Sequence, residues 1–323
     1  MYMGIHKMNK TIIALATAAA IAAPVANANV TIYGKVHVSV DHVDQDGSTV
    51  WNVMSRASRI GFKGTEDLGN GLSLIWKAET TYDFSDGSAW DSARNAYIGL
   101  TGDWGTFLYG IHDTPFKMST GKLDLFADTL ADNNSTIGFH DVRADNAIAY
   151  ISPNMNGLTV AAAIIAKEGQ HSDTGLADAY SIAAMYSNNG LYLSAAYEDL
   201  GGPGNSIDHV SKWRVGAGYT MNAFTLNGIY ESRDRNNQGT QNHWQVQGGY
   251  SFGNNVAKAM YGVSDSLNDS NKSSWALGLD HKLSKRTSAY ALYVDSEHNL
   301  ASEMGCDSPC AGDGFSFGMI HNF

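Results

Sequence analysis

The sequence predicts an all-β chain, a 16-stranded antiparallel transmembrane β-barrel with short periplasmic turns and long extracellular loops. Three observations carry that prediction. Apolar residues recur with a period of two, short turns alternate strictly with long polar segments, and no apolar run after residue 28 is long enough for a membrane helix.

At the amino terminus, Lys7 and Lys10 precede the apolar stretch from Ile12 to Val25. Ala26-Asn27-Ala28 then offers small residues at the two positions a signal peptidase reads. Residues 1–28 are expected to be a signal peptide cleaved after Ala28, leaving residues 29–323 as one barrel domain. The stretch is short and Ala-rich, which makes a membrane anchor the weaker reading. Met8 would itself serve as a start, as Met1 does.

The chain carries 21 basic and 32 acidic residues; without the two leader lysines 19 basic residues are left, a formal charge of −13. So acidic a chain is a poor candidate for nucleic-acid binding. The longest apolar run of the mature part, Val160 to Ala166, falls far short of the ~18 residues of a membrane helix. Barrel strands escape a hydropathy scan because their two faces average to neutral.

The first strand shows the alternation. Val30, Ile32, Val36, Val38 and Val40 share one parity, and Thr31, Tyr33, Lys35, His37, Ser39 and Asp41 the other. Trp213, Val215, Ala217 and Tyr219 alternate with Lys212, Arg214 and glycines, and Trp244, Val246, Tyr250 and Phe252 with Gln245, Gln247 and Ser251. Period two with aromatic and β-branched residues marks strands, but a soluble sandwich alternates as well.

The connections decide between them. Gly69-Asn70-Gly71, Asp103-Trp104-Gly105, Met155-Asn156-Gly157, Ser187-Asn188-Asn189-Gly190, Met221-Asn222, Gly253-Asn254-Asn255 and Leu283-Ser284-Lys285 read as tight turns. Between them lie polar segments at 44–57, 85–93, 116–145, 169–178, 201–210, 235–241, 267–272 and 300–312. Seven turns and eight loops connect sixteen strands, which describes an outer-membrane barrel; a soluble sandwich has no reason to sort its loops in this way. In the last strand Phe315, Phe317, Met319, His321 and Phe323 share one parity, and pairing with the first strand would remove both edges. A terminal Phe323 resembles the signal read by the outer-membrane assembly machinery.

Several motifs resemble the trimeric general porins of Gram-negative bacteria. Val30-Thr31-Ile32-Tyr33-Gly34 matches that family's first strand, as do the run from Ser58 to Gly71 (SRIGFKGTEDLGNG) and Arg94-Asn95-Ala96-Tyr97-Ile98-Gly99-Leu100. Asp145 to Pro153 matches more loosely. The resemblance implies a sixteen-stranded barrel, a homotrimer in outer-membrane lipid and lipopolysaccharide, and a third loop folded into the lumen as a constriction.

Residues 116–145 form the longest connection, and a loop of that size is functional or disordered. Leu123, Leu125 and Phe126 argue against a solvated loop; folding inward would bury them, and covering a neighbouring subunit is the alternative. The loop carries Asp124, Asp128, Asp132, Asp141 and Arg143. Lys35, Arg59, Lys63 and Lys77 lie on the polar parity of the first three strands, and a lipid-facing charge at the midplane would cost ~2–4 kcal/mol. Set against Asp124, Asp128 and Asp132, these cations are expected to form a basic wall with a transverse field that favours polar permeants. Lys212, Arg214, Lys258 and Lys282 are assigned to the general lumen.

Relatives commonly carry Arg after the fifth-strand glycine and before the sixth-strand tyrosine, where this chain has Ile111 and Ala149. Together with the net charge, these departures predict a weak cation preference. Cys306 and Cys310 are expected to form a local disulfide in an oxidising compartment, because two cysteines fall short of a metal site. Ser119-Thr120-Gly121-Lys122 matches S-x-x-K with nothing else of its fold, and Asp44-Gln45-Asp46-Gly47 resembles a calcium loop but has Val53 where the last acid belongs. No cofactor, metal or catalytic set is expected. The predicted function is passive diffusion of small hydrophilic solutes and ions through an outer-membrane channel. A substrate-selective channel for a sugar or an anion, or a barrel enzyme, are the alternatives.

Overall fold

The computed structural model describes residues 29–45, 48–166, 175–201, 210–235, 239–265, 271–298, 300 and 311–323. Among these residues there are seventeen strand segments: β1 (Asn29–Gln45), β2 (Ser48–Ser55), β3 (Arg59–Gly69), β4 (Leu72–Tyr82), β5 (Ala89–Gly102), β6 (Gly105–Asp113), β7 (Arg143–Ile151), β8 (Leu158–Ile165), β9 (Ala179–Asn188), β10 (Leu191–Asp199), β11 (Val210–Met221), β12 (Phe224–Arg235), β13 (Gly239–Phe252), β14 (Asn255–Ser264), β15 (Lys272–Lys282), β16 (Thr287–Ser296) and β17 (Gly312–Asn322). Each pairs antiparallel with its neighbours, and β17 returns to β1 from Lys35↔Asn322 to Gln45↔Gly312. Phe323 extends the seam: its N–H donates to the Gly34 carbonyl and its carbonyl accepts from the Gly34 N–H, both at 3.1 Å. The sheet therefore has no free edge.

Sixteen barrel strands result because β2 and β3 are two halves of one. β1 pairs with β2 from Val38↔Ser55 to Gln45↔Ser48, and with β3 from Asn29↔Thr65 to Lys35↔Arg59. Between the halves Ala57 takes φ +45°, and Arg56 turns inward to pair with Asp41 and reach Ser39 at 3.3 Å. This corrects the expected first loop at 44–57, most of which is strand. The run Val50-Trp51-Asn52-Val53-Met54 has apolar residues on both parities, so it lacks the contrast that reveals a strand. The second loop is likewise shorter than expected, since β5 begins at Ala89.

The expected short turns all connect neighbouring strands. In them Asn70, Asn156, Asn189 and Asn222 adopt positive φ, three followed by a positive-φ glycine, which is the backbone that two-residue hairpins demand. The strand ends that the long connections join lie at the opposite end.

Burial is the reverse of a soluble protein's. Val30 and Ile32 are 59% and 61% exposed, whereas His37, on the other parity of the same strand, is fully buried. Trp213, Val215, Tyr219, Trp244, Val246, Phe315 and Phe317 also lie exposed, while Lys212, Arg214, Gln245 and Gln247 are buried. Such a surface is stable only in lipid. Inward-facing Tyr290 lies over Gly318, where a Cβ would meet its ring at 2.2 Å, and its hydroxyl lies 3.0 Å from His37 Nε2. Gly318→Val is expected to destabilise the barrel by about 1–3 kcal/mol. A lowered thermal unfolding midpoint checks it, and an unchanged one would mean that the Tyr290 ring is free to move.

Candidate functional site

The third connection runs from residue 114 to 142 and lies inside the barrel. It opens with α1 (Pro115–Thr120), whose cap Thr114 accepts from the Lys117 N–H at 3.4 Å and whose first residue is a proline. A single turn, α2 (Asn133–Thr136), follows, capped by Asp132, which accepts from the Asn134 N–H at 2.9 Å. Residues between and around these helices have no ladder, so their backbone groups are bonded within the loop or by the wall.

The wall supplies bonds to the loop along β9 to β16. Ser181 Oγ accepts from the Phe116 N–H (3.0 Å), and the Tyr192 hydroxyl donates to the Ser119 carbonyl (2.7 Å). Asn227 donates to the Leu123 carbonyl (2.9 Å), Lys258 to that of Leu125 (2.7 Å) and Ser274 to that of Thr136 (2.6 Å). Inward glycines make room for the loop's apolar side chains. A Cβ at Gly216 or Gly218 would strike Leu123, one at Gly262 would strike Ile137, and one at Gly278 would crowd Phe126. Phe116, Leu123, Phe126, Leu130 and Ile137 are buried in this way. The loop thus folds inward and does not cover a neighbouring subunit.

Charges lock both arms of the loop. Arg214 donates to Asp141 and Thr120 at 2.7 Å each and pairs with Glu231 on the adjacent strand. Lys212 pairs with Glu198 (3.0 Å) and donates to the His140 carbonyl (2.5 Å). Both cations lie over the Phe116 ring, at 4.4 Å for Arg214 and 4.6 Å for Lys212. Lys258 pairs with Asp280 and covers Phe126. Lys212, Arg214 and Lys258, expected in the general lumen, therefore stand behind the loop, whereas Lys282 is exposed at the short-turn end.

The opposite wall, on β1 and β3 to β6, is left uncovered and bears Lys35, Arg59, Lys63 and Lys77. Lys63 and Lys77 face each other in register, with ammonium groups 5.2 and 5.5 Å from the Tyr33 ring centroid. Sequence reasoning missed two members of this wall. Glu79 accepts from the Tyr33 hydroxyl (2.8 Å) and Arg94 Nε (2.7 Å), with Lys77 at 3.2 Å and Arg59 at 3.9 Å. Glu79 shares the parity of Lys77 and was legible on that ground. Arg94 was not, because a register shift between Ala78 and Thr80 breaks the parity of β5.

The loop carboxylates divide. Asp128 (35% exposed) reaches across to Lys35 at 2.8 Å. Burial alone would raise its pKa, but Lys35 first, then Arg59 and Arg94, hold it below the usual carboxylate value. Asp124 and Asp132, expected to face the basic wall, turn into the loop's own interior. Asp124 accepts from the Phe126 N–H (2.8 Å) and from Gln247 (3.1 Å) on the far wall, and Asp132 accepts from the Asp128 N–H (2.7 Å). They do so because a loop without a ladder uses its carboxylates as backbone acceptors. Arg143 stands at the start of β7 and pairs with Asp113 (3.0 Å) and Asn95 (3.1 Å). Cys306 and Cys310, like the expected signal peptide, lie outside the described residues. Among the described residues no group of three or more His, Cys, Asp and Glu side chains could hold a metal ion.

A family model described as Gram-negative porin matches residues 14–299. Outer membrane porin protein 32 of Delftia acidovorans is 28% identical over 92% of this chain and 92% of its own length. Major outer membrane protein P.IB of Neisseria meningitidis serogroup A is 31% identical over 58% of each chain. Among solved structures, the anion-selective porin from Comamonas acidovorans superposes with a TM-score of 0.78 at 23% identity, covering 92% of this chain and all of its own.

Burial, reinforced by the Asp132 carboxylate, pushes Asp124 up to about 7, and burial raises Asp132 as well. The folded loop then keeps a proton that the unfolded chain releases near its ordinary carboxylate pKa of about 4. Between these values the native state binds more protons, so this pair's contribution to stability falls as pH rises from about 4 towards 7. Asp124→Asn is expected to flatten that part of the pH–stability curve, read as the unfolding midpoint between pH 5 and 8. An unchanged slope would contradict a raised Asp124 pKa.

Proposed function

The chain belongs to the Gram-negative porin family, and on that premise we propose that it is a homotrimeric general diffusion porin whose lumen favours small hydrophilic anions. As a porin it is an outer-membrane channel and not an enzyme. The finer reading is carried by one observation, the charge of the uncovered wall. Lys35, Arg59, Lys63, Lys77 and Arg94 line it, and the carboxylates among them, Glu79 and Asp128, are already paired with these cations.

This reading departs from the cation preference expected from a net charge of −13. Net charge counts every acid on the chain, whereas a permeating ion feels charges within about a Debye length, roughly 10 Å at 0.1 M salt. Arginines common in relatives are missing at Ile111 and Ala149, but Arg94, whose inward position sequence parity concealed, adds a cation to this wall. A buried Glu79 neutralises one cation and leaves Lys63 exposed to the lumen. In the narrow section such charges order water and polar solutes and raise the local concentration of anions.

Trimerisation is the assembly that the resemblance implies, and the apolar outward face of β1, with Val30, Ile32 and Val40, supplies a wall that could pack against a second copy. Cleavage after Ala28 would leave Asn29, the first residue of β1, at the mature terminus, which N-terminal sequencing reads. Phe323, bonded into the seam, would present its ring to the assembly machinery.

Single-channel recording in a planar bilayer tests the proposal. Ohmic steps in groups of three are expected, with a reversal potential under a salt gradient of the sign set by anion permeation. One charge acts on an ion 4 Å away with about 1 kcal/mol in water, so Lys63→Glu is expected to lower the anion-to-cation permeability ratio on the order of fivefold or more. A wild-type reversal potential of the opposite sign would overturn the anion preference and leave the porin reading in place.

A further inference from the structure

The seven short turns differ in one respect. Six consist of Gly, Asn and other uncharged residues, or carry an acid, as Asp103 does. The turn between β15 and β16 instead brings Lys282, Lys285 and Arg286 together within five residues of an otherwise acidic chain. The nearest acids in sequence are Asp280 and Asp295, and Asp280 is engaged by Lys258 at 3.0 Å. Among the described residues none of these three cations has an ion-pair partner. Clustered like charges repel, so an arrangement that holds them together unpaired favours an anion between them.

The turn is built firmly. Ser284 Oγ accepts from the N–H groups of Arg286 (3.2 Å) and Thr287 (3.1 Å), and the Thr287 carbonyl accepts from those of Leu283 and Ser284 (3.0 Å each). The Arg286 carbonyl accepts from Asn322 on β17 (2.9 Å), and the Asn254 carbonyl accepts from Lys282 (2.8 Å). Backbone groups are thereby spent, and the cationic side chains are left over. They border a cavity of about 480 Å³ together with Asn254, Ser288 and Asn322, and no carboxylate lines it. Lys282 and Ser288 are in register, and Ser288 pairs in turn with Ile320, two residues from Asn322, so the cavity opens on the lumen side of the wall. It stands at the short-turn mouth, and β16, β17, β1 and β3 are consecutive, so it adjoins the sector that carries the basic wall.

We propose that this cavity is a binding site for phosphate groups at the periplasmic mouth of the channel. A guanidinium fork can take two phosphate oxygens at once, two ammonium groups supply point charge, and the Asn and Ser side chains supply neutral donors. A multivalent oxyanion satisfies all of them, whereas a monovalent ion leaves most unused. The phosphate could belong to a free phosphorylated solute entering or leaving the pore, or to a phospholipid headgroup at the inner leaflet.

The test is calorimetric titration of inorganic pyrophosphate into the refolded full-length protein in a neutral detergent, which needs no conduction. Binding is expected to weaken at least tenfold in the triple variant K282Q/K285Q/R286Q and to persist in K285R and in the wall variant K63E. Heat-modifiable mobility on gels verifies that each variant is folded. Absence of pyrophosphate binding to the wild type, or equal binding by the folded triple variant, would overturn the site; loss of binding in K63E alone would move it to the basic wall and overturn it too. Repeating the titration in phosphatidylcholine nanodiscs with and without phosphatidylglycerol separates the sources. Wild-type binding that disappears with the anionic lipid supports the site with a headgroup as occupant, and binding that persists supports the free solute.

Discussion

A bilayer offers no partner to a peptide N–H or C=O, so a chain that crosses it by strands must bond every strand on both sides. Closure of β17 onto β1, carried to the last residue by the paired bonds of Gly34 and Phe323, meets that demand. Closure also divides the side chains. One parity of each strand must suit lipid and the other must suit water, and this drives charge along the middle of the strands to the interior. The interior then holds far more charge than an apolar core could tolerate, and the arrangement of that charge decides what the barrel can do.

The third loop resolves the problem on one half of the wall. Along β9 to β17 it covers the inward side chains, several of which bond its carbonyls and carboxylates. Pairs such as Lys212–Glu198 and Arg214–Glu231–Asp141 add little net stability, because desolvation offsets their attraction. Displacing the loop would take Asp141 and the Thr120 hydroxyl from Arg214 and the His140 carbonyl from Lys212. Those bonds, together with Leu123 against Gly216 and Gly218, hold the loop to one position. What is left open is the other half, where Lys35, Arg59, Lys63, Lys77 and Arg94 meet water.

Most of the fold was legible in the sequence, for a simple reason. Period-two contrast is a direct consequence of having lipid on one side and water on the other, so Val30 to Asp41 or Lys212 to Thr220 declare both strand and facing. Where the contrast fails the reading fails, as at Ser48 to Ser55, whose apolar residues fall on both parities, or at Arg94, where a bulge shifts the register. Within the site, the cations of β1, β3 and β4 followed from parity alone. The roles of Asp124 and Asp132 did not, since a loop's carboxylates go wherever its unladdered backbone needs acceptors, and that depends on the folded path. One signal was present and unused: inward positions on β11, β14, β15 and β17 carry Gly216, Gly218, Gly262, Gly278 and Gly314, which is where a wall must be thin if something is to lie against it.

The central claim is that the loop covers one half of the lumen and leaves the other to permeation. It is tested most directly by thiol labelling of single cysteines in a background with Cys306 and Cys310 replaced by serine. Ala127→Cys lies on the exposed surface of the loop, and Ser274→Cys lies buried behind it against the Thr136 carbonyl. A charged, membrane-impermeant thiol reagent is expected to react at position 127 and lower the conductance in steps, while leaving position 274 untouched. Equal reaction at both positions would mean that the loop does not seal that half of the barrel, and the account would be wrong at its foundation.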